Sequence, residues 1–276
     1  MKVLILGSNL SLYCGWTTMT LGISEGLSQN NVQNLILEGI NPSKRFNNPL
    51  HLSSHIRDNF MNLVLDFFRI MLITLFYKPK HIILVPEFFC RPVFIVSKIL
   101  GVKYSIYSAG TYSSLILEKK GNFARNSFSY AQNIFPMSEY TKKRILKFTN
   151  NKRITIVKSG YNDKKFFRRS CKKEKYSIIF VGNLKKRKGF RILVESILKM
   201  PITLRKKIFI RLVGDFKGAE FKDYKNKLKK NNIKYKIFSN ISEKQLCLLF
   251  NKSAVNVLPS ISEDYFYTFL LNFYLH

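Results

Sequence analysis

Short apolar runs, each closed by glycine or a turn and followed by a segment of helical period, recur along this chain. This alternation constrains the fold more than any other feature. Val3-Leu4-Ile5-Leu6 ends at Gly7, and after a loop the apolar residues Trp16, Met19, Ile23 and Leu27 return at helical spacing. Strand-like runs follow at Asn34 to Leu37, His81 to Val85, Lys103 to Tyr107 and Asn133 to Met137, with helical material between most of them. Ser138 is placed to cap a helix through about Phe148, and Ile154 to Val157 reads as a further strand. Parallel strands need crossover connections, usually helices, so the alternation predicts a parallel sheet covered on both faces.

Arg168 to Lys175 (RRSCKKEK) is polar and highly charged, and predicts a linker. The pattern then restarts. Tyr176 to Val181 is a strand ending at Gly182, and a helix begins near Gly189 with Phe190, Leu193, Val194 and Ile197 on one face. Lys207 to Val213, Ile233 to Phe238 and Ala254 to Leu258 are strands, and Ser242-Glu243-Lys244-Gln245 opens a helix with the S-x-x-Q capping-box pattern. The expectation is an α/β chain of two Rossmann-like, doubly wound domains: 1–167, a linker over 168–175, and 176–276 as an incomplete second domain. Ligands of such sheets bind beyond the carboxyl ends of the strands, where strand order reverses. After the first strand Gly7 is followed by Ser8-Asn9-Leu10, without a G-x-G-x-x-G fingerprint, which argues against a nicotinamide enzyme.

Charge separates the two halves. The chain carries 47 Lys+Arg and 16 Asp+Glu, a net +31; 13 and 7 of these lie before residue 141, and 34 and 9 after it. That excess suits a phosphate-bearing partner or an anionic membrane, and lysine-rich codons of an AT-rich genome would produce part of it. Cys14, Cys90, Cys171 and Cys247 are too far apart for a C-x-x-C or Cys/His metal spacing and read as reduced, packed thiols. The first apolar run is too short for an export signal, so a cytoplasmic protein is expected. Phe60 to Tyr77 (FMNLVLDFFRIMLITLFY) is almost long enough to span a bilayer, but Asp66 and Arg69 near its middle would each cost about 2.5–3.5 kcal/mol there. With Asn62, Asp66 and Arg69 on one stripe, the segment is expected to be a helix buried against a sheet, with a membrane-surface helix as the alternative.

The sharpest local feature is Phe180-Val181-Gly182-Asn183-Leu184-Lys185-Lys186-Arg187-Lys188-Gly189, a strand turning through glycine and four cations into a helix. Amide donors at a helix start together with Lys and Arg suit a diphosphate. This loop resembles the donor-phosphate loop of retaining GT-B-fold glycosyltransferases of family 4. Three other segments resemble that family in the same order: Ile134-Phe135-Pro136-Met137-Ser138-Glu139-Tyr140-Thr141, Ile154 to Asn162, and Val257-Leu258-Pro259-Ser260 followed by Glu263.

The resemblance implies transfer of a sugar from a nucleotide-diphosphate sugar to a glycan or lipid-linked saccharide acceptor with retained configuration, in building a cell-envelope polysaccharide. It implies Arg187, Lys188, Glu263 and Asp264 as catalytic residues. Gly15, Gly182, Asn183, Lys188, Gly189, Ser260 and Asn272 would contact the donor. No cofactor and no obligatory metal are implied, and no nucleic-acid partner is expected; peripheral contact with the anionic inner face of a membrane is. The family's acidic motif spaces two carboxylates eight residues apart. Here that spacing pairs Glu263 with Leu271 or Asp264 with Asn272, so the register stays open. Asn183 stands where the family usually has arginine, and Ala109 where many members have histidine. The family continues beyond the point matching His276, so a truncated, non-catalytic copy is the alternative reading, with a basic nucleic-acid-binding protein behind it.

Overall fold

The computed structural model describes residues 1–7, 10, 15–40, 52–53, 60–85, 87–108, 110–119, 121–158, 160 and 166–261. The chain divides into two compact units, Met1–Ser159 and Gly160–His276.

The first unit is built on a six-stranded sheet of β1 (Lys2–Gly7), β2 (Gln33–Ile40), β3 (Leu52–Ser53), β4 (His81–Val85), β5 (Lys103–Ser108) and β6 (Asn133–Pro136). Its order is β3-β2-β1-β4-β5-β6, and every pairing is parallel. The helices are α1 (Gly15–Gln29), α2 (Phe60–Tyr77), α3 (Cys90–Leu100), α4 (Thr111–Lys119), α5 (Gly121–Tyr130) and α6 (Glu139–Leu146). Strand order reverses between β1 and β4. Right-handed crossovers therefore put α1 on one face and α3 on the other. The second face holds the main core, where Leu4, Leu6, Ile82, Leu84 and Ile106 meet Val93, Val96 and Phe128, all fully buried. The predicted cap is present: Ser138 Oγ accepts from the Thr141 amide at 3.1 Å.

Two expectations for this unit change. Ile154 to Val157 does not form a full strand: Ile154 bridges Ile134, and only the Thr155 and Val157 amides, on the side toward β6, reach its carbonyls, both at 3.0 Å. The helix α2 is not buried all round. Asp66, Ile70 and Thr74 face inward, while Leu65, Phe68, Leu72, Leu75 and Phe76 are exposed. A helix laid on a sheet covers it with one stripe only. Phe67, Ile70, Met71, Ile73 and Tyr77 pack against the core beside the buried Asp66 and Thr74, and the remaining apolar residues stay outside.

In the second unit β7 (Glu174–Val181), β8 (Phe209–Val213), β9 (Lys234–Phe238) and β10 (Ser253–Asn256) form a parallel sheet ordered β10-β7-β8-β9. The helices are α7 (Phe190–Leu198), α8 (Ile202–Arg205), α9 (Ala219–Lys230) and α10 (Glu243–Lys252). Alternation along β7 sends Phe180 to one core, with Phe190, Leu193 and Leu212, and Ile179 to another, with Val213, Cys247 and Phe250. The buried Arg211 ties the sheet together laterally, pairing with Glu174 of β7 and donating to Ser253 Oγ of β10 at 3.2 Å.

The segment expected as a linker is part of this unit. Phe166 is buried in the second core, the Arg169 amide donates to Asn251 Oδ1 at 2.8 Å, and Asn251 Nδ2 donates to the Phe167 carbonyl at 3.2 Å. β7 also starts two residues earlier than expected, at Glu174. The buried Phe166 ring just before the segment and the buried Asn251 amide dock the cationic stretch onto α10.

Candidate functional site

Loops from all four strands of the second unit meet at the carboxyl end of its sheet. The chain steps from β7 to β8 to β9 in one direction, whereas β10 lies on the other side of β7. Order therefore reverses between β7 and β10, and the crevice of such a sheet lies at that point. The basic loop leaves β7 here.

Gly182 donates its amide to the Val213 carbonyl at 2.9 Å, which holds the loop's start against β8. After Asn183 and Leu184, the chain makes a single 3-10 turn over Lys186–Lys188, then Gly189, and α7 begins. Gly189 adopts φ +69°, and a Cβ placed there would lie 1.8 Å from the Pro259 carbonyl oxygen. Glycine is required for both reasons. On the same side, Ile261 donates its amide to the Arg187 carbonyl at 2.8 Å, and Val257 donates to Ile179 at 3.0 Å. The basic loop and the Val257-Leu258-Pro259-Ser260 segment, far apart in sequence, are thus laced together backbone to backbone.

A third loop closes on the first. A Cβ on Gly214, at the end of β8, would lie 2.4 Å from the Gly182 carbonyl oxygen. The Asp215 amide donates to Asn183 Oδ1 at 3.1 Å, and Ser239 Oγ, after β9, donates to the Gly214 carbonyl at 3.0 Å. Asn183 is therefore held as a loop clamp. The aliphatic stem of Lys188 lies over Gly182, 3.6 Å from where a Cβ would stand. Lys185 and Lys186 are exposed, and Arg187 and Lys188 half-buried. Asp215 pairs with Lys217 at 3.6 Å. Four consecutive cations and the first-turn amides of α7, which have no carbonyl within the helix, make the loop a site for a polyanion.

The sequence-predicted residues Gly182, Asn183, Arg187, Lys188, Gly189 and Ser260 thus come together in one unit. Gly15 is elsewhere, as the exposed first residue of α1 in the first unit, and a Cβ there would meet nothing within 4 Å. Glu263, Asp264 and Asn272 lie outside the described residues.

Sequence reading missed three features. Gly214 and Asp215 complete the second unit's site; a glycine closing a strand that neighbours the basic one was the available signal. Gly7 is the sterically required glycine of the first unit, because its Cβ would fall 2.5 Å from Thr20 Cγ2 of α1. Beyond β4, the buried Glu87 accepts from Ser113 Oγ at 2.6 Å, tying α4 to the carboxyl end of that sheet. A carboxylate after Val85-Pro86 gave no sign of being internal. His81 is structural: its Nε2 lies 2.8 Å from Ser105 Oγ, and burial, helped by Lys103, lowers its pKa. Among the described residues no group of three or more His, Cys, Asp or Glu could hold a metal.

Comparison with known proteins places this geometry. Residues 162–265 match the family described as Glycosyl transferases group 1. No curated protein matches the chain. Among solved structures, sucrose-phosphate synthase from Thermosynechococcus elongatus is similar with a TM-score of 0.80 at 13% identity, over 97% of this chain and 77% of that one. HepE of Anabaena, solved with UDP and glucose, gives 0.71 at 11% over 98% and 77%. WaaG, a glycosyltransferase involved in lipopolysaccharide biosynthesis, gives 0.69 at 14% over 99% and 78%. The chain therefore has the two-unit, parallel-sheet GT-B fold of these proteins, and the segment that matches the glycosyl transferase family carries the basic loop.

Proposed function

We propose that this chain transfers a sugar from a nucleotide-diphosphate sugar to a glycan or lipid-linked saccharide with retention of configuration, in cell-envelope polysaccharide synthesis on the cytoplasmic side. One observation carries the proposal: the Gly182 to Gly189 loop sits at the reversal point of its sheet, clamped by Pro259 and Gly214, with four cations at the start of α7. HepE has been solved with UDP-glucose, which makes a uridine donor the first to test.

In this reading the donor diphosphate rests on the α7 amides and on Arg187 and Lys188. The acceptor hydroxyl attacks the anomeric carbon from the face the diphosphate leaves. As that bond breaks, charge grows on the departing phosphate, and the two cations stabilise it without transferring a proton. Ser260 would hold the diphosphate from the opposite side of the loop. Glu263 or Asp264 would contact the donor sugar and Asn272 the ribose; Gly15, in the first unit, is the remaining residue the resemblance assigns to the donor. No step requires a metal or another cofactor.

The experiment is turnover of a sugar-nucleotide panel by the wild type and Lys188→Ala. A charge-assisted hydrogen bond is worth about 1.5–3 kcal/mol, so the variant should turn over roughly ten- to a hundredfold more slowly. Failure of the wild type to bind any sugar nucleotide would remove the proposal.

A further inference from the structure

We infer that the amino-terminal end of the second unit's sheet carries a second anion site, for a small molecule bearing two or more phosphate groups. This goes beyond sugar transfer and is tested without a donor. The run Arg168-Arg169-Ser170-Cys171-Lys172-Lys173 holds four cations and no carboxylate in six residues. Left free in solvent, such a run would keep its charges apart. Here it is pinned. Phe166 is buried just before it, and the Arg169 amide is held by Asn251, whose Nδ2 is itself engaged by the Phe167 and Cys247 carbonyls at 3.2 and 2.8 Å. The pinned run and Asn251 line a cavity of about 710 Å³. A cavity walled by charges of one sign concentrates counter-ions in it.

Arg169 supplies the second observation. Its Nε is buried and has no hydrogen-bond partner among the described residues, while its guanidinium lies over the Phe167 ring, 4.7 Å from the centroid. A buried charged N–H without an acceptor is costly, and a phosphate oxygen in the cavity would supply one. The carboxylate next in sequence, Glu174, is taken by Arg211. Four cations exceed what one phosphate, with about two negative charges, can balance, so the ligand carries at least two. The volume falls in the range of small-molecule pockets, about 300–1,000 Å³. A nucleic-acid strand instead follows an extended groove with aromatic rings for its bases, and among the described residues no aromatic side chain lines this cavity. The eight residues of β7 separate the run from the Gly182 to Gly189 loop. That distance is about 23 Å along the strand, so the two ends take separate ligands.

Cys171 gives the readout, because it lines the cavity and is partly exposed, whereas Cys90 and Cys247 are buried. The full chain is alkylated with uncharged iodoacetamide in inorganic tripolyphosphate or in sodium chloride of equal ionic strength, and peptide mass spectrometry follows Cys171. Tripolyphosphate should slow the modification about fivefold or more, by covering the thiol and by disfavouring its thiolate, and sodium chloride should not. Arg169→Gln should raise the tripolyphosphate concentration needed about tenfold. Arg168→Gln/Lys172→Gln should do the same with an unchanged unfolding midpoint, since both side chains are exposed. Lys188→Ala, at the donor loop, should protect Cys171 like wild type, so loss of sugar transfer and loss of this site are read separately. Equal protection by sodium chloride would reduce the effect to screening and overturn the inference. Wild-type protection in Arg168→Gln/Lys172→Gln would overturn it too, as would lost protection in Lys188→Ala, which would put the anion on the donor loop. A single-stranded oligonucleotide protecting Cys171 at a lower phosphate concentration than tripolyphosphate would overturn it in favour of a nucleic acid.

Discussion

Single residues carry much of what holds the site. Gly189 sits at φ +69° with the Pro259 oxygen where a Cβ would go, so no side chain fits without moving a strand-end segment. Gly189→Ala should cost about 1–3 kcal/mol or more and lower nucleotide-sugar affinity with it, read from urea unfolding and from donor titration. Gly15→Ala is the contrast: nothing lies within 4 Å, and stability should hold or rise by up to about 1 kcal/mol. His81 gives a pH signature. Its folded pKa is lowered, by burial first and by Lys103 second, while the unfolded chain titrates near the ordinary value of about 6.5. Below that value the unfolded state takes up a proton the folded state resists. The stability is therefore full above pH of about 6.5 and falls as the pH drops toward the folded pKa. His81→Gln should flatten that part of the stability profile. An unchanged slope would show that other groups set it.

At the scale of elements, capping residues were legible because they act locally. Ser242 and Gln245 form the predicted reciprocal box at the start of α10, with the Gln245 amide donating to Ser242 Oγ at 3.2 Å and the Ser242 amide to Gln245 Oε1 at 2.9 Å. Ser242→Ala should cost about 1 kcal/mol, seen as a lower melting temperature with donor binding retained. Equal stability in the variant would mean that tertiary packing alone fixes the helix end. By contrast, α2 shows what local pattern cannot supply. Its sequence places a polar stripe on an otherwise apolar helix, and an apolar sheet would be expected to take the apolar side. Phe67, Ile70, Met71, Ile73 and Tyr77 pack on the core and carry Asp66 and Thr74 in with them, and which apolar side of the helix does so is decided by packing, not by hydropathy. The segment 168–175 makes the same point, since Phe166 and Asn251 override its cationic composition.

For the whole molecule, the net charge of +31 gives attraction to any polyanion, and such attraction is screened by salt. Raising salt from about 0.05 to 0.5 M should release the chain from an oligonucleotide column. Retention at the higher salt would show that contacts other than charge hold the chain there. The sequence by itself determined the alternation of strand and helix, the parallel α/β class, the basic strand-to-helix turn and the caps, because each depends on residues within a few positions of one another. Tertiary structure alone decided the order of the strands and hence where they reverse. It brought Pro259 and Gly214 against the loop, and it chose which apolar side of α2 was buried. Those outcomes depend on which segments pack together across tens to scores of residues of intervening chain, and no local pattern encodes that pairing.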